Sequence, residues 1–363
     1  MKIAFPHMGN LYITAKTLFE ELGHQVIVPP YNNDKVKEIG SKYAPEFICL
    51  PLKLNLGNFI QAIEMGADTI VMLGGCGPCR FGYYGSLEKI ILNDIGYNVD
   101  FIVLEPLVYG TKNFISNVSR VFNNKSIFAL KRAYKIAKLV DQLERKVNYL
   151  RPREKVKGSV DKIYNTFRNN VINLHGSKEI EKYIMQTNLL LDSIAFVDEE
   201  RPKIAIIGEI YTIIDDYSNL NIQKILGEMG FETDRNLYIS SWIEEHLIKS
   251  ALNINNKEVI ENSKGIIDRI IGGHARESIA FANLFKNKGY NGIIHVFPLT
   301  CMPEIMAKSI MINTYKDLDI PFMSLVLDEH SSEVGIKTRI EAFADLILNK
   351  GEQCKDEGML SWS

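Results

Sequence analysis

One layout occurs twice in this chain, and it limits the fold more than any other feature. KIAFPHM at Lys2–Met8 leads through LYITAKTLFEELG to QVIVPP, and KIAIIGEIY from Lys203 leads into NLNIQKILGEMGFE. Each copy is a short apolar run followed by an amphipathic helical pattern, closed by Gly23 in the first and Gly230 in the second. Apolar runs alternating with helical patterns predict parallel strands joined by crossover helices.

The alternation continues after the first copy. FICLPL (47–52) reads as a third strand and NFIQAIEMG as a helix stopped at Gly66. TIVMLGG reads as a fourth strand, SLEKIILNDIG as a helix and NVDFIVLEP as a fifth strand. Residues 111–200 change character, with apolar residues at helical spacing in ISNVSRVFNNKSIFALKRAYKIAKLVDQLERKVNYL and KEIEKYIMQTNLLLDSIAF. The basic stretch RPREKVKGSVDK between them reads as a solvated helix end. In the second half, GIIDRIIGGHARES reads as a helix leading to a glycine turn. GIIHVFPLTCMPE and PFMSLVLDEH read as strands, and TRIEAFADLILNK as an amphipathic C-terminal helix. The expected fold is α/β, with two Rossmann-like parallel-sheet domains and an intervening helical region. Residues 1–110 form the cysteine-bearing domain, 111–200 the helical region and 201–363 the second domain, with a cleft between the two sheets.

A formal net charge of −2 leaves no domain-sized basic surface, so nucleic acid is not the expected partner. No window approaches the ~18 consecutive apolar residues of a membrane span. The first residues lack the pattern of a secretory leader, being interrupted by Pro6 and His7. A cytoplasmic protein with reduced thiols is expected. The five cysteines then read as metal-binding, redox-active or buried rather than paired in disulfides.

Four of these cysteines follow predicted strands. Cys49 lies in FICLPLK, Cys76 and Cys79 in GGCGPCRFGYYG, and Cys301 in FPLTCMPE; Cys354 lies in a polar tail and reads as incidental. Ligands collect at the carboxyl ends of strands in open parallel sheets, so the four thiols are expected together in the cleft. Only one pair is local, whereas structural zinc sites generally use two local knuckles. Iron–sulfur ligation tolerates dispersed ligands. The local CGPC layout also fits a thioredoxin-type dithiol, although no tryptophan precedes Cys76 and two further cysteines go unused.

FICLPLK, GGCGPCRFGYYG, IIGGHARE, FPLTCMPE and DEHSSEVGIKTRIEAF together resemble the 2-hydroxyacyl-CoA dehydratase and benzoyl-CoA reductase superfamily. The resemblance is closest to the branch related to CoA-substrate-specific enzyme activases, near the double-cubane cluster proteins. It implies an iron–sulfur cluster, of the 4Fe-4S or double-cubane type, on Cys49, Cys76, Cys79 and Cys301. It also implies anaerobic, low-potential electron transfer from an ATP-hydrolysing iron–sulfur activator, and a homodimer or related subunit. The substrate it implies is a small molecule, an acyl-CoA in the better-known members, reduced by way of a ketyl radical. No GxxxxGK[ST] phosphate loop is present in this chain. The alternative functions are a non-catalytic electron-transfer or scaffold subunit, and a dithiol oxidoreductase using Cys76 and Cys79.

Among other polar residues, His330, Glu329 and His274 are the candidates for proton transfer, His330 because imidazole titrates near neutrality. Arg276 beside His274 reads as facing the cleft or an anionic group. Ser331 or Ser332 reads as a helix cap. Glu209 and Tyr211 occupy the second domain's counterpart of the first loop, and Tyr83 and Tyr84 stand beside the cysteines as a shield or as packing.

Overall fold

The computed structural model describes residues 1–75, 79–104, 111–249, 254, 256–268, 272–314 and 320–360; for 111–115, 314 and 350–360 it describes the backbone alone. The first half contains β1 (Lys2–Ala4), α1 (Leu11–Glu21), β2 (Gln25–Val26), α2 (Asp34–Tyr43) and α3 (Leu50–Glu64). It continues with β3 (Thr69–Leu73), α4 (Phe81–Asp94) and β4 (Asp100–Leu104). The strands form one parallel sheet in the order β2-β1-β3-β4, in a register that sets Ile3 opposite Thr69 and Thr69 opposite Asp100. The second half contains β5 (Lys203–Gly208), α9 (Ile210–Ile214), α10 (Ile222–Glu228), β6 (Glu232–Arg235) and α11 (Ile239–Trp242). After a π-helical turn (Ile243–Lys249) come α12 (Lys257–Ser263), α13 (Ala275–Asn287), β7 (Gly292–Pro298), α14 (Met302–Thr314), β8 (Phe322–Leu327) and α15 (Glu333–Leu360). Its sheet runs β6-β5-β7-β8, again parallel. The fold is α/β with two Rossmann-like domains, and the twofold echo in the sequence corresponds to the same strand order built twice.

Helices cover both faces of each sheet, which is why β3 and β7 read as unbroken apolar runs. Ile3, Phe5, Val71 and Ile102 pack under α1 on one face of the first sheet, and Ile70, Met72 and Phe101 pack under α3 and α4 on the other. The second sheet is sandwiched between α10 with α15 and α13 with α14. Gly23 and Gly230 end their helices at φ +90° and +94°, a backbone region that costs glycine little.

The segment read as a third strand is instead the start of α3. Pro51 sits in the first helical turn, where its missing N–H breaks no hydrogen bond. Leu52 and Leu56 face the first sheet, while Leu50 and Leu54 meet Val36 and Tyr211 on the opposite side. Residues 50–60 of α3 are buried on every side, Lys53, Asn55 and Asn58 among them, and a helix buried all round loses the 3.6-residue apolar period that would mark it as helical. The first sheet therefore has four strands, and Cys49 caps a helix rather than ending a strand.

Backbone contact between α2 and α3 is equally tight. A Cβ at Gly40 would fall 1.6 Å from the Lys53 carbonyl oxygen, and one at Gly57 would fall 2.0 Å from that of Val36. Neither oxygen can turn aside, because both belong to helix backbone. Gly40→Ala is expected to destabilise the chain by about 1–3 kcal/mol, the usual range for overpacking, as read by chemical denaturation.

Between β4 and β5 in the chain come α5 (Thr111–Val121), α6 (Ser126–Leu150), a 3₁₀ turn (Arg151–Arg153), α7 (Ser159–Val171) and α8 (Ser177–Asp192). The apolar faces of α6, α7 and α8 join the core under α1. The basic stretch after α6 is not the solvated end expected of it. Arg151 and Arg153 are buried, the first paired with Asp161 at 2.8 Å and the second with Glu232 of β6 at 2.6 Å; Lys155, Lys157 and Lys162 face water. The reason is that α10 and β6 pack against this turn, and guanidinium groups can be buried when carboxylates meet them.

Two further corrections concern the second half. The helix expected before the glycine turn follows it: among the described residues 264–268 are non-helical, and α13 begins at Ala275 after Gly272 and Gly273. β6, with the sequence ETDR, has no apolar run to mark it; Thr233 and Arg235 are its inward positions. Among the described residues no helix is long and apolar enough to cross a membrane.

Candidate functional site

Each sheet reverses its strand order beside its first strand, between β1 and β3 and between β5 and β7, and such switch points are where open α/β sheets bind ligands. Cys79 follows β3 and Cys301 follows β7. Cys49 reaches the same place from the N-terminus of α3, where it is the N-cap residue with extended backbone (φ −66°, ψ 147°). Cys49 and Cys301 are each 7% exposed, Cys79 is partly buried, and all three are free thiols. Cys49 and Cys79 lie within electrostatic reach of each other, as do Cys79 and Cys301. Cys76 lies outside the described residues, and Cys354 lies in the part of α15 described as backbone alone.

All three thiols stand at helix N-termini. Cys49 caps α3, Cys79 lies two residues before α4, and Cys301 directly precedes α14. The Phe81 N–H donates to the Cys79 sulfur and the Glu304 N–H to that of Cys301, while the Cys49 sulfur hydrogen-bonds the Tyr84 hydroxyl. Free N–H groups and the helix dipole both favour negative charge at these sulfurs. Burial works against them and raises all three thiols above the usual range. Without a cation the site therefore holds neutral thiols, and a bound metal would displace their protons.

Arg80 ties the three cysteine segments together. One of its terminal nitrogens donates to the Phe47 carbonyl at 3.1 Å, two residues before Cys49. The other donates to the carbonyl and hydroxyl oxygens of Thr300 at 2.5 Å each, one residue before Cys301. Thr300 itself has φ +68°, an unfavourable conformation for a β-branched residue. Beside this clamp, the buried Lys53 of α3 pairs with Glu329 and donates to the Glu46 carbonyl, joining the halves a second time.

A row of carboxyl groups runs away from the thiols. Glu209 caps α9 by accepting from the backbone of Tyr211 and Thr212, and its charge bears on Cys49, Cys79 and Cys301 alike. Burial raises its carboxyl above the ordinary value. Glu304 is 1% exposed and bonds His295 Nε2 at 2.8 Å and the Ser278 hydroxyl at 2.9 Å. Glu277, pushed up to about 7 by burial, lies 3.9 Å from His246. On the first-half side, Glu88 is buried one turn after Tyr84, with Asn55 at 3.2 Å, and burial lifts it to about 8.

The proton-transfer candidates are dispersed over this region. His330 is exposed on the rim, 3.8 Å from Glu329, whose carboxylate is engaged by Lys53. His274 precedes α13 and meets the His246 ring edge-on at 5.4 Å; burial, helped by His246, lowers it to about 3, so it is neutral at physiological pH. Its loop touches the first turn of α14, directly after Cys301, since a Cβ on Gly273 would fall 2.9 Å from the Pro303 ring. Arg276 bonds the Ser263 hydroxyl at 2.9 Å. Ser331 exchanges hydrogen bonds with Asp328, closing a turn before α15. Tyr211 is buried and donates to the His7 carbonyl, Tyr84 is buried against Cys49, and Tyr83 is exposed.

Sequence reasoning passed over Arg80 and Lys53. Each was marked only as a charge inside an apolar, glycine- or leucine-rich motif, RFGYYG and CLPLK. That is the context in which a charge must have a partner to be buried.

The fold and site define an α/β protein with two Rossmann-like domains whose cysteine loops meet at the switch points. Residues 5–72, from the end of β1 to β3 and including Cys49, match the family model described as the CoA enzyme activase uncharacterised domain. Over that stretch the chain is similar to CoA enzyme activase-related proteins. No curated protein matches it.

Proposed function

We propose that this chain is an iron–sulfur protein of the CoA enzyme activase-related kind, with the cluster held by Cys49, Cys79 and Cys301 together with Cys76. The observation that carries the reading is the convergence of three described thiols from three separate segments and both halves, each at a helix N-terminus, around the Arg80 clamp. Among the described residues no three Cys, His, Asp or Glu side chains are placed to hold one metal ion. A cluster asks for wider spacing than a single ion, because its own iron and sulfide stand between the ligand sulfurs. A cluster with thiolate ligands is anionic, and helix N-termini and backbone N–H donors suit that charge.

When bound, such a cluster supplies single low-potential electrons. The residues of this chain would exclude water from it, through the burial of Cys49, Cys301 and Tyr84, and hold its loops in register through Arg80. The electrons would come from an ATP-hydrolysing partner and pass to a small substrate, for which the activase-related match favours a CoA thioester. A dithiol oxidoreductase is less well supported, since it would leave the buried Cys49 and Cys301 beside Cys79 without a role.

Anaerobic reconstitution with iron and sulfide is the direct test. The expected result is bound iron and sulfide in matching amounts and an EPR signal after dithionite reduction, altered when an acyl-CoA is added. A protein that retains no iron overturns the proposal. A cluster indifferent to acyl-CoA would leave electron transfer in place and remove the substrate assignment.

A further inference from the structure

The three described cysteines differ in what reaches their sulfurs from other residues. Cys79 and Cys301 receive backbone N–H groups, from Phe81 and Glu304, which any sequence would supply. Cys49 receives a side chain, the hydroxyl of Tyr84. Tyr84 is 3% exposed and lies in the first turn of α4, its ring tilted against Phe81 at 5.5 Å. Packing therefore fixes the hydroxyl toward the sulfur, with little freedom to turn to water.

We infer that Tyr84 is a positioning residue that sets the reduction potential of the bound cluster by donating a hydrogen bond to the Cys49 thiolate. The inference rests on the proposed cluster. A thiolate bound to iron has no proton, so the phenol is the only donor in the pair. A hydrogen bond to a ligand sulfur withdraws electron density and stabilises the reduced, more negative state, which raises the potential.

The test compares midpoint potentials of the reconstituted protein by anaerobic EPR-monitored titration. Tyr84→Phe is expected to keep its iron and shift the potential to more negative values. Replacing Tyr84 by 3-fluorotyrosine, a stronger donor of the same shape, is expected to shift it the opposite way. Tyr83→Phe, at an exposed neighbour, is expected to leave it unchanged. Opposite shifts support the inference, since a tyrosine needed only for packing would not respond to phenol acidity. Fluorotyrosine protein with iron bound and the potential unmoved overturns it, even if the phenylalanine variant fails to take up iron. Wild-type protein without iron instead overturns the proposed cluster.

Discussion

Arg235→Met is expected to destabilise the protein by about 3–5 kcal/mol, the cost of stranding one member of a buried ion pair. Arg235, on β6, is 4% exposed and pairs with Glu144 of α6, which is 6% exposed. Its guanidinium also lies over the Tyr238 ring at 4.3 Å, and Asp141 adds a second negative charge nearby. With methionine in its place, Glu144 would keep only neutral partners, the Asn10 amide at 2.6 Å and the Tyr164 hydroxyl. Burial already raises the Glu144 carboxyl, and the arginine is the main influence opposing that rise. In the variant the carboxyl therefore rises further. A carboxyl raised in the folded state contributes stability that is present below its unfolded value and lost as pH climbs. The deficit should thus be smaller near pH 5 than near pH 8 when followed by denaturant unfolding. Arg235→Met combined with Glu144→Leu should recover most of the loss, because no charge is then left unpaired. A single variant as stable as the wild type at pH 8 would show that water reaches this junction.

The sequence made some of this visible and concealed the rest, for reasons that differ by element. Strands β3 and β7 and the paired openings at Lys2 and Lys203 were legible because strands buried on both faces keep their apolar runs. Helix α3 was hidden by the same burial, which removed its periodicity. β6 was hidden because its inward residues, Thr233 and Arg235, are polar and reach a buried charged junction with the helical region. In the site, the meeting of Cys49, Cys79 and Cys301 followed from the rule that loops at the carboxyl ends of strands converge, although Cys49 arrives there from a helix N-terminus. Arg80 could not be placed from sequence, because two of its three acceptors are the backbone oxygens of Phe47 and Thr300, far away in the chain. Main-chain acceptors leave no trace in residue identity.

That dependence on main-chain acceptors makes Arg80 the most consequential residue of the site after the thiols. Arg80→Ala is expected to raise the reactivity of Cys301 toward a thiol reagent at least tenfold in the iron-free protein. In the iron-loaded protein it is expected to speed iron loss to a chelator by a similar factor. Cys301 is 7% exposed, and two Arg80 contacts with Thr300 hold its loop against the first half. A further contact, from the Thr300 hydroxyl to the Phe47 carbonyl, is 3.3 Å long. Thr300 sits at φ +68°, a strain of about 1–3 kcal/mol that persists only while neighbouring contacts impose it. Without Arg80 the loop can relax toward ordinary backbone and carry Cys301 outward. Lysine should not restore the wild-type rate, since one ammonium cannot reproduce the planar fork that serves Thr300 and Phe47 together. Cys301→Ala removes the thiol itself and sets the limit that Arg80→Ala should approach in the iron-release assay. The thiol-labelling arm needs no cluster, so it reports on the clamp even if iron never binds. Unchanged labelling of Cys301 in Arg80→Ala would mean that the loop is held by its own packing and that the guanidinium only fills space.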